Sequence, residues 1–84
     1  MTLLNKIVEV SWVDSCTNGQ WAPPEFHLKE SNPTMCRSVG YVLVDEPSRL
    51  VLVQNKSLST GHIADTMSIP RVAVKKIRVL KGGF

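Results

Sequence analysis

Two histidines and two cysteines are the groups in this chain with the widest chemical reach. Metal binding and acid–base catalysis need several such groups brought together. Only Asp65, three positions after His62, stands at ligand spacing to either His27 or His62, and a histidine and aspartate in a polar loop read as a solvated pair. Cys36 stands beside Arg37, whose charge would favour a thiolate, but its place inside an apolar run reads as core filler. There is no phosphate-cradling glycine loop and no carboxylate pair of catalytic spacing. The chain therefore reads as a non-enzyme with no metal and no cofactor.

Binding chemistry is better represented. In "SIPRVAVKKIRVL" and the residue after it, Arg71, Lys75, Lys76, Arg78 and Lys81 fall within eleven positions without an acid. Strand alternation breaks up this run: Val74, Lys76, Arg78 and Leu80 share one face, and Lys75, Ile77, Val79 and Lys81 share the other. With Ile77 and Val79 inward, Lys76 and Arg78 point to solvent, and Lys75 and Lys81 sit at opposite rims. Arg71, with or without Lys75, becomes the candidate for a forked grip on phosphate, and Arg37 beside Ser38 is a second arginine at a strand end. Trp21, next to Gly19 and Gln20 in a turn-rich loop, offers a flat wall for stacking a base. Asp14 and Ser15, at the root of that loop, add an acceptor and a hydroxyl, although loop aspartates commonly bond backbone N–H groups instead. The candidate ligand-binding set is Trp21, Arg71, Arg37, Asp14, Ser15 and Lys75.

These residues need a scaffold. "KIVEVSWV" predicts a first strand with Val8, Val10 and Trp12 on one face. Asn18-Gly19 marks a turn, and Pro-Pro before "EFHLKE" predicts a short helix near Pro24–Glu30 with Phe26 and Leu28 inward. "MCRSVGYVLVD" (Met35–Asp45) and "RLVLVQNKS" (Arg49–Ser57) predict a hairpin turning at Asp45–Ser48. "LSTGHIAD" reads as loop, "TMSIP" as a short strand stopped by Pro70, "PRVAV" as one 3₁₀ turn, and "KKIRVLK" as the last strand. The tail 82–84 is expected to fray.

Eighty-four residues make one domain with a core over about 6–81, small enough for stability to need a supplement. Cys16 and Cys36 are expected as reduced thiols, since "MTLLNKIVEV" is too short and polar for a signal segment and the protein reads as cytoplasmic. No apolar run is long enough to cross a bilayer as a helix. Charge is polarised: residues 1–48 hold three basic and six acidic residues, and residues 49–84 hold seven basic residues against Asp65 alone. Such asymmetry steers an anionic partner or lets opposite ends of identical subunits attract. Simple alternation also leaves both faces of the hairpin apolar, with Val39, Tyr41 and Leu43 opposite Gly40, Val42 and Val44. A single core covers one face, so the other is expected to meet a second copy.

Five short strands with a 3₁₀ turn before the last predict a mostly β fold, a small five-stranded antiparallel barrel with one short helix after the first strand. This order and the "IPxxxV" step resemble SH3-like and Sm-like barrels. "VEVSWVDS", "CRSVGYVLVDE" and "IPRVAVKKIRVL" are also similar to short bacteriophage accessory proteins, over roughly Ile7 to Leu80. That likeness implies the cytoplasm of an infected host. It also implies an oligomeric binding protein for an anionic nucleotide or oligonucleotide, sequestering a host immune signal in pockets between subunits. The alternatives are an RNA-binding Sm-like protein, a module that docks on a host or viral protein, or a minor virion part.

Overall fold

The register of five strands decides where every side chain of this chain points. The structure is a computed structural model and describes residues 2–83. In chain order it runs β1 (Lys6–Asp14), α1 (Pro24–Glu30), β2 (Thr34–Asp45), β3 (Arg49–Lys56), β4 (Ile63–Pro70), a 3₁₀ turn (Arg71–Ala73) and β5 (Val74–Gly83). The strands form one antiparallel sheet in the order β4-β3-β2-β1-β5. Among the described residues no ladder joins β4 to β5, so the sheet is open and the expected closure into a barrel is not formed.

Paired residues of an antiparallel ladder share a face, so the pairs Val8↔Gly40, Val10↔Ser38, Val10↔Ile77, Val42↔Leu52 and Leu50↔Ile69 define an inner face. Val8, Val10, Val42, Leu50, Leu52 and Ile69 form the core cluster there, and Trp12, Val74 and Ile77 pack against it. Trp12 donates its indole N–H to Ser38 Oγ at 3.0 Å, which lets the polar end of a core ring lie half-buried. At Gly40, β3 lies close against β2. A Cβ there would stand 3.1 Å from the Val53 carbonyl oxygen and 3.2 Å from Leu52 Cβ, so only glycine fits without displacing a strand.

Several expectations need correction. Between the pairs Val42↔Leu52 and Val44↔Val51 one extra residue, Leu43, sits in β2. This bulge flips the alternation, so Val44 joins Tyr41 on the outer face and Asp45 lies opposite Leu50. On the β2–β3 hairpin the outer face is apolar as expected, and Val51 and Val53 are buried there, outside the main cluster. The helix occupies the expected residues but buries none of them, and Leu28 is 80% exposed, because seven residues carry too little apolar stripe to dock. β4 begins at Ile63 rather than Thr66: Asp65 takes φ +62°, a conformation that aspartate tolerates, and the ladder continues through it. β5 begins at Val74 and runs to Gly83 rather than fraying at 82, while position 84 lies outside the described residues. A register shift between Ser11↔Lys76 and Trp12↔Val74 leaves Lys75 as the extra residue. Val74 therefore packs on the core beside Trp12, against the expectation that it shares a face with Lys76.

Candidate functional site

Strand order, more than sequence proximity, assembles the charges. β1 lies between β2 and β5, and Ser11 is opposite Arg37 on one side and Lys76 on the other. One pair further along, Glu9 is opposite Val39 and Arg78. On the outer face the side chains therefore make two adjacent rows, Arg37–Ser11–Lys76 and Val39–Glu9–Arg78. Arg78 Nη2 donates to Glu9 Oε2 at 3.2 Å, and Arg37 Nε stands 3.9 Å from Glu9 Oε1, too far for a hydrogen bond but close enough for attraction.

Two arginines thus flank one carboxylate and Lys76 lines the same cleft, leaving two positive charges in excess. The glutamate is the more sheltered member: its side chain is 22% exposed, against 72% for Arg37. Glu9, Ser11, Arg37, Lys76 and Arg78 line a shallow cleft of about 180 Å³. That is below the ~300 Å³ at which small-molecule pockets begin, so it has room for a phosphate group and not for a whole nucleotide. Ser11 and Arg37 also border an adjoining cleft of about 320 Å³, completed by Met35 and Cys36. Met35 is exposed and apolar, a soft surface next to a cationic one.

The other candidates lie elsewhere. Arg71 starts the 3₁₀ turn and its Nη1 donates to Asp45 Oδ1 at 3.0 Å, where both side chains are mostly buried. Asp45 Oδ2 accepts the backbone N–H of Leu3 at 2.9 Å, and the Arg71 N–H donates to the Ser48 carbonyl at 3.0 Å. Arg71 therefore belongs to a clamp that ties the N-terminal segment, the β2–β3 turn and the approach to β5. The Leu3 N–H, followed by the Arg71 guanidinium, holds the Asp45 carboxyl below its ordinary 3.8 despite the opposing effect of burial.

Trp21 is 99% exposed in the loop between β1 and α1. Asp14 ends β1 opposite Thr34, an odd number of residues from Ser11 and so on the other face from Arg37; Ser15 follows it, exposed. Lys75 is exposed at the β5 bulge. Of the six candidates, only Arg37 is brought into the cationic cleft. Lys76 and Arg78, read as merely solvated, are its other two cations. Their outward pairing was visible in the alternation of β5, but nothing in the sequence announced that β1 would lie between them and Arg37.

His62 Nα donates to Thr60 Oγ1 in the β3–β4 loop, while the Asp65 carboxylate accepts from Asn55 Nδ2. Cys16 and Cys36 are free thiols. Among the described residues no group of three His, Cys, Asp or Glu side chains could hold a metal ion, and no helix is long and apolar enough to cross a membrane. Comparison with protein families, curated proteins and solved structures returns no match for this chain.

Proposed function

We propose that this chain is a non-enzymatic, self-associating binding protein whose ligand is an anionic nucleotide or oligonucleotide. The observation that carries the reading is the convergence of Arg37 from β2 and Arg78 from β5, the strands on either side of β1, on the single carboxylate of Glu9, with Lys76 lining the same cleft. A phosphate group entering the cleft meets two guanidinium forks, an ammonium and the Ser11 hydroxyl, while Glu9 holds the arginines in place until it arrives. The nucleoside portion extends over Met35 in the adjoining cleft, since the cationic one has room for the phosphate only. In this reading the open sheet is a barrel wall that is completed when copies associate.

Differential scanning fluorimetry tests the ligand class. Cyclic dinucleotides, cyclic trinucleotides, ADP-ribose derivatives and a short single-stranded oligonucleotide are each added at low salt. A ligand present at a hundred times its Kd stabilises the folded state by about 2.7 kcal/mol, a shift of several degrees or more in a domain of this size. For the oligonucleotide, three phosphate contacts predict a log–log salt slope of roughly −2. The Arg37→Ala and Arg78→Ala variants should each lose the shift. Absence of any shift, together with no retention on heparin at low salt, rejects the reading and favours a protein partner.

A further inference from the structure

A second cleft, of about 210 Å³, lies beside β2, β3 and β4, and its chemistry is opposite to that of the cationic one. Ser38, Leu52 and Met67 reach it from the inner face, and Gln54, Asp65 and Thr66 complete it. Leu52 is almost fully buried and Met67 is 42% exposed, so the floor is apolar and open to solvent at one side. Like the cationic cleft it falls short of the ~300 Å³ at which small-molecule pockets begin. It is the size of one side chain.

Asp65 is the one charged residue that lines it. Among the described residues Glu9, Asp45 and Glu46 are each paired with arginine, whereas Asp65 enters no ion pair. Its Oδ2 accepts from the neutral Asn55 Nδ2 at 2.5 Å, which leaves Oδ1 to accept from something else. The backbone at Asp65 has φ +62° in mid-strand, a costly conformation of the kind that gathers at binding sites. The groups beside it are committed in a consistent way. Gln54 Nε2 donates to the Val39 carbonyl at 3.3 Å, which fixes the amide and leaves Oε1 as an acceptor. Ser38 Oγ accepts from Trp12 and gives its own proton to Met67 Sδ. Three oxygens therefore remain to meet an occupant: Asp65 Oδ1, Gln54 Oε1 and the Thr66 hydroxyl.

We propose that this cleft takes one lysine side chain from a basic segment of another protein. The methylenes of the lysine lie along Leu52 and Met67, as such stems do on apolar surface. Its ammonium brings three donors and no acceptor, which matches the three oxygens left over. Arginine fits less well, because its fork grips both oxygens of a carboxylate and Asn55 already holds one of these. Charge complementarity thus selects the class of partner, and the hydrogen-bond inventory selects the side chain. The inference is independent of the nucleotide reading, since it uses none of the residues of the cationic cleft.

The test titrates the isotope-labelled full chain with a blocked Ala-Lys-Ala tripeptide at fixed ionic strength, following amide shifts by NMR. One side chain in an open cleft is expected to bind at about 1 mM, with saturable shifts at Asp65, Thr66 and the Gln54 side-chain amide. Asp65→Asn should weaken this by about tenfold or more and keep the fold, because asparagine also tolerates the left-handed backbone. Asp14→Asn, at an exposed acid outside the cleft, should change nothing. The same tripeptide with norleucine or Nε-acetyl-lysine in place of lysine should not bind. Absence of saturable shifts, undiminished binding by Asp65→Asn, or equal binding of the norleucine, acetylated or arginine peptide overturns the proposal. Tighter binding of cadaverine than of the tripeptide would assign the cleft to a free diamine instead. A fall in particle mass by light scattering when the tripeptide is added would assign it to a lysine of a second copy, and either result removes the outside partner.

Discussion

Replacing Arg71 by alanine separates a structural arginine from a ligand-gripping one. Its Nη1 lies 3.0 Å from Asp45 Oδ1, and the two side chains are 30% and 16% exposed. A charge-assisted hydrogen bond contributes about 1.5–3 kcal/mol, and partial exposure puts this one near the lower end, at about 1.5 kcal/mol. Asp45→Ala also strands the Leu3 N–H, for a total of about 2–3 kcal/mol. If the two side chains act through each other, the double variant should be no worse than Asp45→Ala alone, and the cycle should give a coupling of about 1.5 kcal/mol. In a domain of this size 1 kcal/mol moves the melting temperature by about 4–8 °C, so Arg71→Ala should melt roughly 6–12 °C below the parent. All four proteins are compared by thermal and urea unfolding at one fixed concentration, because association raises apparent stability. Nucleotide-induced shifts should survive in Arg71→Ala at a temperature where it is folded. A variant that melts within 2 °C of the parent, or a coupling below about 0.3 kcal/mol, refutes the clamp. Unchanged stability with lost ligand binding would return Arg71 to the binding site.

Other outcomes follow from the same geometry. The Asp45 carboxyl is held below its unfolded value, so its stabilisation is complete above about pH 4 and disappears as pH falls through the folded value. Asp45→Asn should accordingly be less stable than the parent at pH 6, with a deficit that shrinks as pH falls through the carboxylate range; a deficit that does not change with pH contradicts this. Gly40→Ala forces a methyl to 3.1–3.2 Å from β3 and should cost about 1–3 kcal/mol in urea unfolding, with an unchanged midpoint as the failing result. Glu9→Gln removes the carboxylate that holds Arg37 and Arg78 in place, so titration with the ligand found by fluorimetry should show weaker binding; unchanged or tighter binding would mean that Glu9 only competes with the phosphate. Trp21→Ala should leave stability within about 0.5 kcal/mol, given a fully exposed ring.

Local patterns were readable from the residues, and long-range placements were not. The alternation of Val8, Val10 and Trp12 and the prolines before Glu25 located β1 and α1, because each depends on neighbours in the chain. The β2–β3 hairpin was equally plain, but its faces were misassigned beyond Val42, since an inserted Leu43 leaves no mark in composition. β4 was truncated because Asp65 resembles a loop residue while its left-handed backbone keeps the ladder going. The site divided along the same line. Arg71 looked available for phosphate until Asp45, twenty-six residues earlier, claimed it. Arg37 gained its basic neighbours only through the strand order β2-β1-β5, which no local signal specifies.

That strand order also has a temporal side. β1 is flanked by β5, and the Glu9–Arg78 bond spans sixty-nine residues. During synthesis β1 emerges with half its backbone groups awaiting a partner that is made only after β2, β3 and β4. Loop closure on that scale precedes any gain from the contact, which places such topologies among the slower small folders, at milliseconds to seconds. Until then β1, with its buried-to-be valines, is a second open edge on the nascent chain. The arginine of the cationic cleft that arrives last, Arg78, comes with the strand that ends that exposure, so the cleft is assembled only once the sheet is complete.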